Sequence, residues 1–91
     1  MTEQLGKYMV TVELGNGSRK TKLWDVVNKN HSDKLGQIKW YNGWRRYIFE
    51  PEPCTVFSSD CMRSIAGFVD KQNQLHKEQI RAEHGAEHDE G

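Results

Sequence analysis

Trp40-Tyr41-Asn42-Gly43-Trp44-Arg45-Arg46-Tyr47-Ile48-Phe49 is the stretch that decides how this chain is read. Asn-Gly between two extended segments is the strongest short-range hairpin signal, because the favoured tight turn needs positive φ at its central positions. Five of the ten residues are aromatic, out of nine Trp, Tyr and Phe in the whole chain, and they interleave with Lys39, Arg45 and Arg46. Successive side chains of a strand point to opposite faces. One face of this hairpin can therefore enter a core while the other offers aromatic and guanidinium surface to a partner. Ile38 and Trp40 point one way and Lys39 and Tyr41 the other; Trp44, Arg46 and Ile48 oppose Arg45, Tyr47 and Phe49. A one-residue change of register turns a strand over, so which set faces out stays open. A small domain also needs large aromatics for its own core, which claims part of the set. Trp40, Tyr41, Trp44, Arg45, Arg46 and Tyr47 are the candidate partner-binding residues.

Working outward, Tyr8, Val10, Val12 and Leu14 alternate with Lys7, Met9, Thr11 and Glu13, the cleanest strand pattern in the chain. Gly15-Asn16-Gly17 supplies a tight turn. A second extended run covers about Arg19 to Val27, Asn28–Asp33 is a turn by composition, and a third strand covers Leu35–Tyr41. The fourth, Trp44–Phe49, ends before Pro51-Glu52-Pro53, because proline lacks the N–H a ladder needs and restricts the residue before it. Thr55-Val56-Phe57 is a short extended linker with two apolar side chains to bury.

Ser58 or Ser59 is a good N-cap, and Asp60 then sits in the first turn, where the helix dipole favours an anion. Cys61, Met62, Ile65, Phe68, Val69, Gln72 and Leu75 form one stripe of 3.6-residue period. The sequence thus predicts an α+β domain, a four-stranded antiparallel β-meander packed on one C-terminal α-helix, over residues 1–76. Residues 77–91 read as a frayed helix end and a disordered acidic tail. One helix covers one face only, so the other face meets water, a partner or a second copy.

The bulk numbers narrow the class. Ninety-one residues make one domain. The composition is 35% hydrophobic and 29% charged, and no segment approaches the ~20 apolar residues of a membrane span. The N-terminus shows no basic-then-apolar run, so no signal peptide and a cytoplasmic location are expected. Net charge is zero but uneven: residues 18–46 hold eight Lys/Arg against two Asp/Glu, and residues 59–91 hold four against seven. Cys54 and Cys61, seven positions apart in a chain with no secretory context, do not make a disulfide framework, and Cys61 reads as a small buried hydrophobe.

Three groups of residues bear on chemistry. His84 and His88 have the i, i+4 spacing of a ligand pair, but the Gly85 between them opposes a rigid metal site. Cys54 or Cys61 with His31 or His76 lacks any spacing that supports a nucleophile–base pair. Glu50 and Glu52, either side of Pro51, read as solvated. No phosphate-binding glycine loop, G-x-S-x-G or H-E-x-x-H pattern occurs. The expectation is a non-enzymatic protein without cofactor or metal.

The run Trp24-Asp25-Val26-Val27-Asn28-Lys29, Leu35-Gly36-Gln37-Ile38-Lys39-Trp40-Tyr41 and Trp44-Arg45-Arg46-Tyr47-Ile48-Phe49 with Pro51-Glu52-Pro53, followed by Thr55–Cys61 and a helix with Ile65, Phe68 and Val69, resembles a family of small bacteriophage and prophage proteins. The family mark is Trp-Tyr-x-x-Trp-Arg-x-Tyr-x-Phe-x-Pro. The resemblance spans residues 24–69 and implies a phage or mobile-element origin with expression in the bacterial cytoplasm. It brings no catalytic or binding residues with it. Four strands followed by a helix is also similar in order to the PC4-like coactivators that bind single-stranded DNA as dimers, a likeness of fold alone.

Two functions compete. One is an accessory protein that binds a host protein through Trp40, Trp44, Arg45, Arg46 and Tyr47 and modulates host defence, transcription or replication. The other is a single-stranded nucleic-acid-binding module. There Arg19, Lys20, Lys22, Lys39, Arg45 and Arg46 would track phosphates while Tyr41, Trp44 or Tyr47 stack bases. A third reading uses the same surface for a homodimer.

Overall fold

The structure is a computed structural model that describes residues 2–15 and 20–83. Five strands precede one helix: β1 (Thr2–Leu5), β2 (Met9–Leu14), β3 (Leu23–Asn28), β4 (Lys34–Tyr41), β5 (Arg46–Pro51) and α1 (Ser59–Glu83). The strands follow one another across the sheet in sequence order, every pair antiparallel. The α+β meander is as expected, but the strand count is five rather than four. The added strand, Thr2-Glu3-Gln4-Leu5, has one apolar residue and no period of its own; it exists because its backbone pairs with β2, with Leu5 opposite Met9. The turn between them rests on Gly6, at φ +70°, where a Cβ would lie 2.8 Å from Ser64 Oγ of the helix. Positive φ and close approach both favour glycine there.

α1 lies across one face, from β1 at one edge to β5 at the other. Lys71 pairs with Glu3 at 3.8 Å, and Asn73 bonds to β5. Ser58 caps the helix as expected: its Oγ accepts the Cys61 N–H at 3.2 Å and its carbonyl accepts the Met62 N–H at 2.9 Å. Ile65 and Phe68 are buried and Cys61 and Val69 half-buried, while Met62 and Leu75, at the margins of the stripe, are exposed. The helix continues through Glu83. The expected disordered tail, with His84 and His88, lies beyond the described residues, as do Asn16 and Gly17 of the expected Gly15-Asn16-Gly17 turn, Ser18 and Arg19.

Trp24 is the centre of the core. Its ring meets Tyr47 edge-on at 5.4 Å and Phe68 at 5.2 Å, with Val26 and Ile38 fully buried beside it. In β2 the buried pair is Met9 and Thr11, not the valines that alternate with them. Val10, Val12 and Leu14 therefore lie on the open face of the sheet, where Val10 stands opposite Val27 and Leu14 opposite Leu23. The buried Thr11 hydroxyl donates to the Glu3 carbonyl at 3.3 Å, which removes most of the cost of placing it there. Gly36 pairs with Val26 on one side and Pro51 on the other, next to a register shift between Val26 and Val27, and the Phe49 ring occupies the space a side chain there would take. In the linker only Phe57 packs, 5.5 Å from Phe49; Val56 is 92% exposed, contrary to the expectation that both would be buried.

Candidate functional site at the tip of the β4–β5 hairpin

The Asn-Gly signal marks a hairpin, but its loop has four residues, Asn42–Arg45, rather than two. Tyr41 pairs with Arg46, and the Tyr41 carbonyl accepts both the Arg45 N–H at 2.8 Å and the Trp44 N–H at 3.2 Å. Arg45 closes the turn in the left-handed region, at φ 57°. Trp44 and Arg45, expected to open the fourth strand, thus belong to the loop. The loop is longer by two, an even number, so the alternation beyond it is unchanged. Arg46 and Ile48 share the open face with Lys39 and Tyr41, while Tyr47 and Phe49 lie under the helix.

This geometry divides the expected partner-binding set. Tyr47 is only 4% exposed and belongs to the core. Its place on a binding surface is corrected by its packing, edge-on to Trp24 and to Trp40 at 5.2 Å, and by its hydroxyl, which accepts the Lys22 backbone N–H at 3.0 Å. Trp40 is half-buried between Tyr47 and His76, with its ring centroid 4.4 Å from the imidazole, and its Nε1 donates to Asn42 Oδ1 at 3.0 Å. The four that remain outside are Tyr41 (45% exposed), Trp44 (68%), Arg45 and Arg46. Tyr41 and Trp44 brace one another edge-on at 5.2 Å. The Tyr41 ring also fills the space over Gly43, where a Cβ would lie 2.7 Å from it. The tip is thus a supported aromatic pair, not two independent side chains.

The charges around it are equally divided. Lys39 is matched by Glu50 on β5. Arg45, Arg46, Lys20, Lys22 and Lys77 form no ion pair among the described residues. Trp40 separates two recesses. One, of about 520 Å³, is lined by Lys20, Lys22, Leu23, Gln37, Lys39 and Asn42. The other, of about 340 Å³, lies between the hairpin and α1 and is lined by Arg45, Arg46, Asp70, Asn73, His76 and Lys77. Of the expected basic set, Lys20, Lys22 and Lys39 meet on one side of Trp40 and Arg45 and Arg46 on the other; Arg19 is outside the described residues. Of the helix residues, Lys77 was not singled out by sequence reading and His76 was weighed only as a base for a cysteine. Their only signal is a position one turn beyond Asn73, which becomes informative once α1 is known to pass over the hairpin.

Among the described residues no group of three His, Cys, Asp or Glu side chains is placed to hold a metal ion, and no helix is long and apolar enough to cross a membrane. Cys61 and His76 lie on one helix, fifteen residues apart. That is about 22 Å at the rise of an α-helix, too far for a nucleophile–base pair. Cys54, exposed, and Cys61, half-buried, are both free thiols.

No protein-family model matches the chain, and no solved structure matches it. Over 72 residues, 79% of the chain, it is 32% identical to the "Uncharacterized 9.3 kDa protein" of Acholeplasma phage L2, of which it covers 88%. Identity at that level across nearly all of the relative places the chain in a family: it belongs to the same family of small phage proteins as the 9.3 kDa protein of Acholeplasma phage L2.

Proposed function

We propose that the protein is a non-enzymatic accessory protein of a phage or mobile element. It acts in the bacterial cytoplasm by docking the tip of its β4–β5 hairpin on an acidic surface of a host protein. The observation that carries this reading is the exposed, mutually braced Tyr41–Trp44 pair beside Arg45 and Arg46, two arginines with no carboxylate partner among the described residues. Trp, Tyr and Arg dominate interface energetics because they bury large area at low conformational cost. Holding a rigid aromatic pair in place before binding lowers that cost further. The Trp-Tyr-x-x-Trp-Arg-x-Tyr-x-Phe-x-Pro run is, on this proposal, the mark of the family. Its Trp40, Tyr47 and Phe49 build the support, Pro51 ends the sheet, and Tyr41, Trp44 and Arg45 make the contact.

The recess with Lys20 and Lys22 beside Trp40 favours the second reading, a single-stranded nucleic acid. That reading is weaker in two respects. Tyr47, one of its stacking residues, is turned into the core, and Lys39 is neutralised by Glu50. The experiment is retention of host-lysate components on the immobilised protein, with and without nuclease and across a salt series. A protein band that survives nuclease and is lost from a Trp44→Ala/Arg46→Ala variant is expected. Retention abolished by nuclease, with a steep loss on adding salt, is the nucleic-acid outcome. Full retention by the double variant would refute the hairpin tip as the contact.

A further inference from the structure

The sheet face turned away from α1 is mainly aliphatic on β2 and β3, with Asp25 opposite Val12 at its centre. Val10 stands opposite Val27 and Leu14 opposite Leu23, with Val12 between them and Ile48 farther along on β5. These side chains are half-buried, and among the described residues no helix packs on this face of the sheet. The charges on the same face are largely matched within the chain. Lys34 reaches Asp25 at 3.6 Å and Glu52 at 3.5 Å, Lys39 pairs with Glu50, and Gln37 donates to Asp25 at 3.1 Å. Arg46, at the hairpin end of this face, is the exception, with no ion pair among the described residues; over the rest, where the charges are already paired, the face makes no demand for a strongly charged partner. It fits another aliphatic face with the same balance, and the chain itself is neutral, so two copies approach without net repulsion.

Edge-to-edge pairing through β5 is restricted to the N–H of Phe49 among its outward donors. The outward N–H of Tyr47 is taken by Asn73 Oδ1 at 2.7 Å, and Pro51, on the same side of the strand, has no N–H. Face-to-face packing is open: five strands at about 4.8 Å spacing and about 20 Å length present a footprint near 500 Å² per copy. Two such faces reach about 1,000 Å², the size at which specific interfaces begin. Val, Leu and Ile without a large aromatic in their midst interdigitate at the ~10 Å spacing of stacked sheets.

We infer that the open face of the sheet, centred on Val10, Val12, Leu14, Leu23 and Val27, is the interface of a symmetric homodimer, giving a four-layer helix–sheet–sheet–helix assembly. Trp44 and Arg45 stand in the loop beyond the end of the sheet and stay free in that assembly. The test is mass in solution by sedimentation equilibrium from micromolar to submillimolar concentration. Twice the 10.6 kDa chain mass is expected for the wild type. Val12→Lys places an ammonium beside Asp25 in the monomer but at the centre of the dimer interface; a folded monomer with unchanged circular dichroism is expected, as it is for Val10→Glu. Trp44→Ala is expected to remain dimeric. In the wild type, isotope-filtered NOEs between copies are expected from the methyls of Val10, Val12 and Leu23. A wild type monomeric throughout, a dimer retained by either folded variant, or intermolecular NOEs confined to α1 or the hairpin tip would overturn the assignment.

Discussion

Asn73 of α1 takes the backbone N–H of Tyr47 on its side-chain Oδ1 at 2.7 Å, so a helix side chain completes the hydrogen bonding of an edge strand. The same Tyr47 reaches the other way through its hydroxyl, which accepts the Lys22 N–H at 3.0 Å. One residue thus ties together β5, α1 and the segment that leads into β3. It also holds Trp40 from below, and Trp40 fixes Asn42 at the base of the loop. The exposed tip is positioned by this buried column.

Removing the Asn73 acceptor leaves a part-buried N–H without a protein partner. Asn73→Ala is expected to destabilise the domain by about 1–3 kcal/mol. Urea denaturation followed by tryptophan fluorescence measures it. A loss too small to resolve would mean that water replaces the carboxamide and that the edge is not held by it.

Gly36 faces β5 where a Cβ would meet the Phe49 ring and the Glu50 carbonyl at 2.6 Å. A backbone carbonyl cannot swing aside as a flexible side chain can, so Gly36→Ala should cost about 1–3 kcal/mol by overpacking. The paired variant Gly36→Ala/Phe49→Leu should recover part of that loss if the ring is the obstacle. Equal instability of both variants would point to the carbonyl instead.

Gly67 is the opposite case. It lies mid-helix with nothing within 4 Å of its Cβ position, so it serves no close approach. Gly67→Ala is expected to stabilise the protein by about 1 kcal/mol, the difference in helix propensity. A shift of the urea midpoint to higher concentration at constant slope is the expected sign; a downward shift would reveal a role for the bare backbone.

At the tip, stability and binding should separate. Trp44 is exposed and touches Tyr41 and its own loop, so Trp44→Ala should change stability by about 0.5 kcal/mol or less. The same change should weaken partner binding by about 2 kcal/mol or more, roughly thirtyfold in Kd. Calorimetry with the captured partner gives the second number and thermal melting the first. A variant that melts early and binds normally would place Trp44 in the fold rather than at the interface.

The local part of this architecture was legible without the fold. Asn42-Gly43 signalled a hairpin, Ser58 and the 3.6-residue stripe signalled α1 and its start, and Pro51-Glu52-Pro53 signalled the end of the sheet, although β5 runs through Pro51 rather than stopping at Phe49. Each of these depends on φ preferences, capping or periodicity within a few residues. The charge pattern likewise pointed to the basic side chains that gather around Trp40. Only the tertiary structure decided the rest. Thr2–Leu5 is polar and becomes a strand because β2 offers it a ladder. Met9 and Thr11 go inward while Val10 and Val12 stay out, because the pairing of β2 with β1 and β3 sets which face meets α1. Tyr47 enters the core and Trp44 leaves it, and Lys39 is neutralised by Glu50 while Arg45 and Arg46 are not, because strand register and the path of the helix bring those groups together. The sequence by itself determined which elements form, through interactions between neighbours. Tertiary packing decided which side of each element is exposed, because a strand presents two faces and only contacts distant in sequence choose between them.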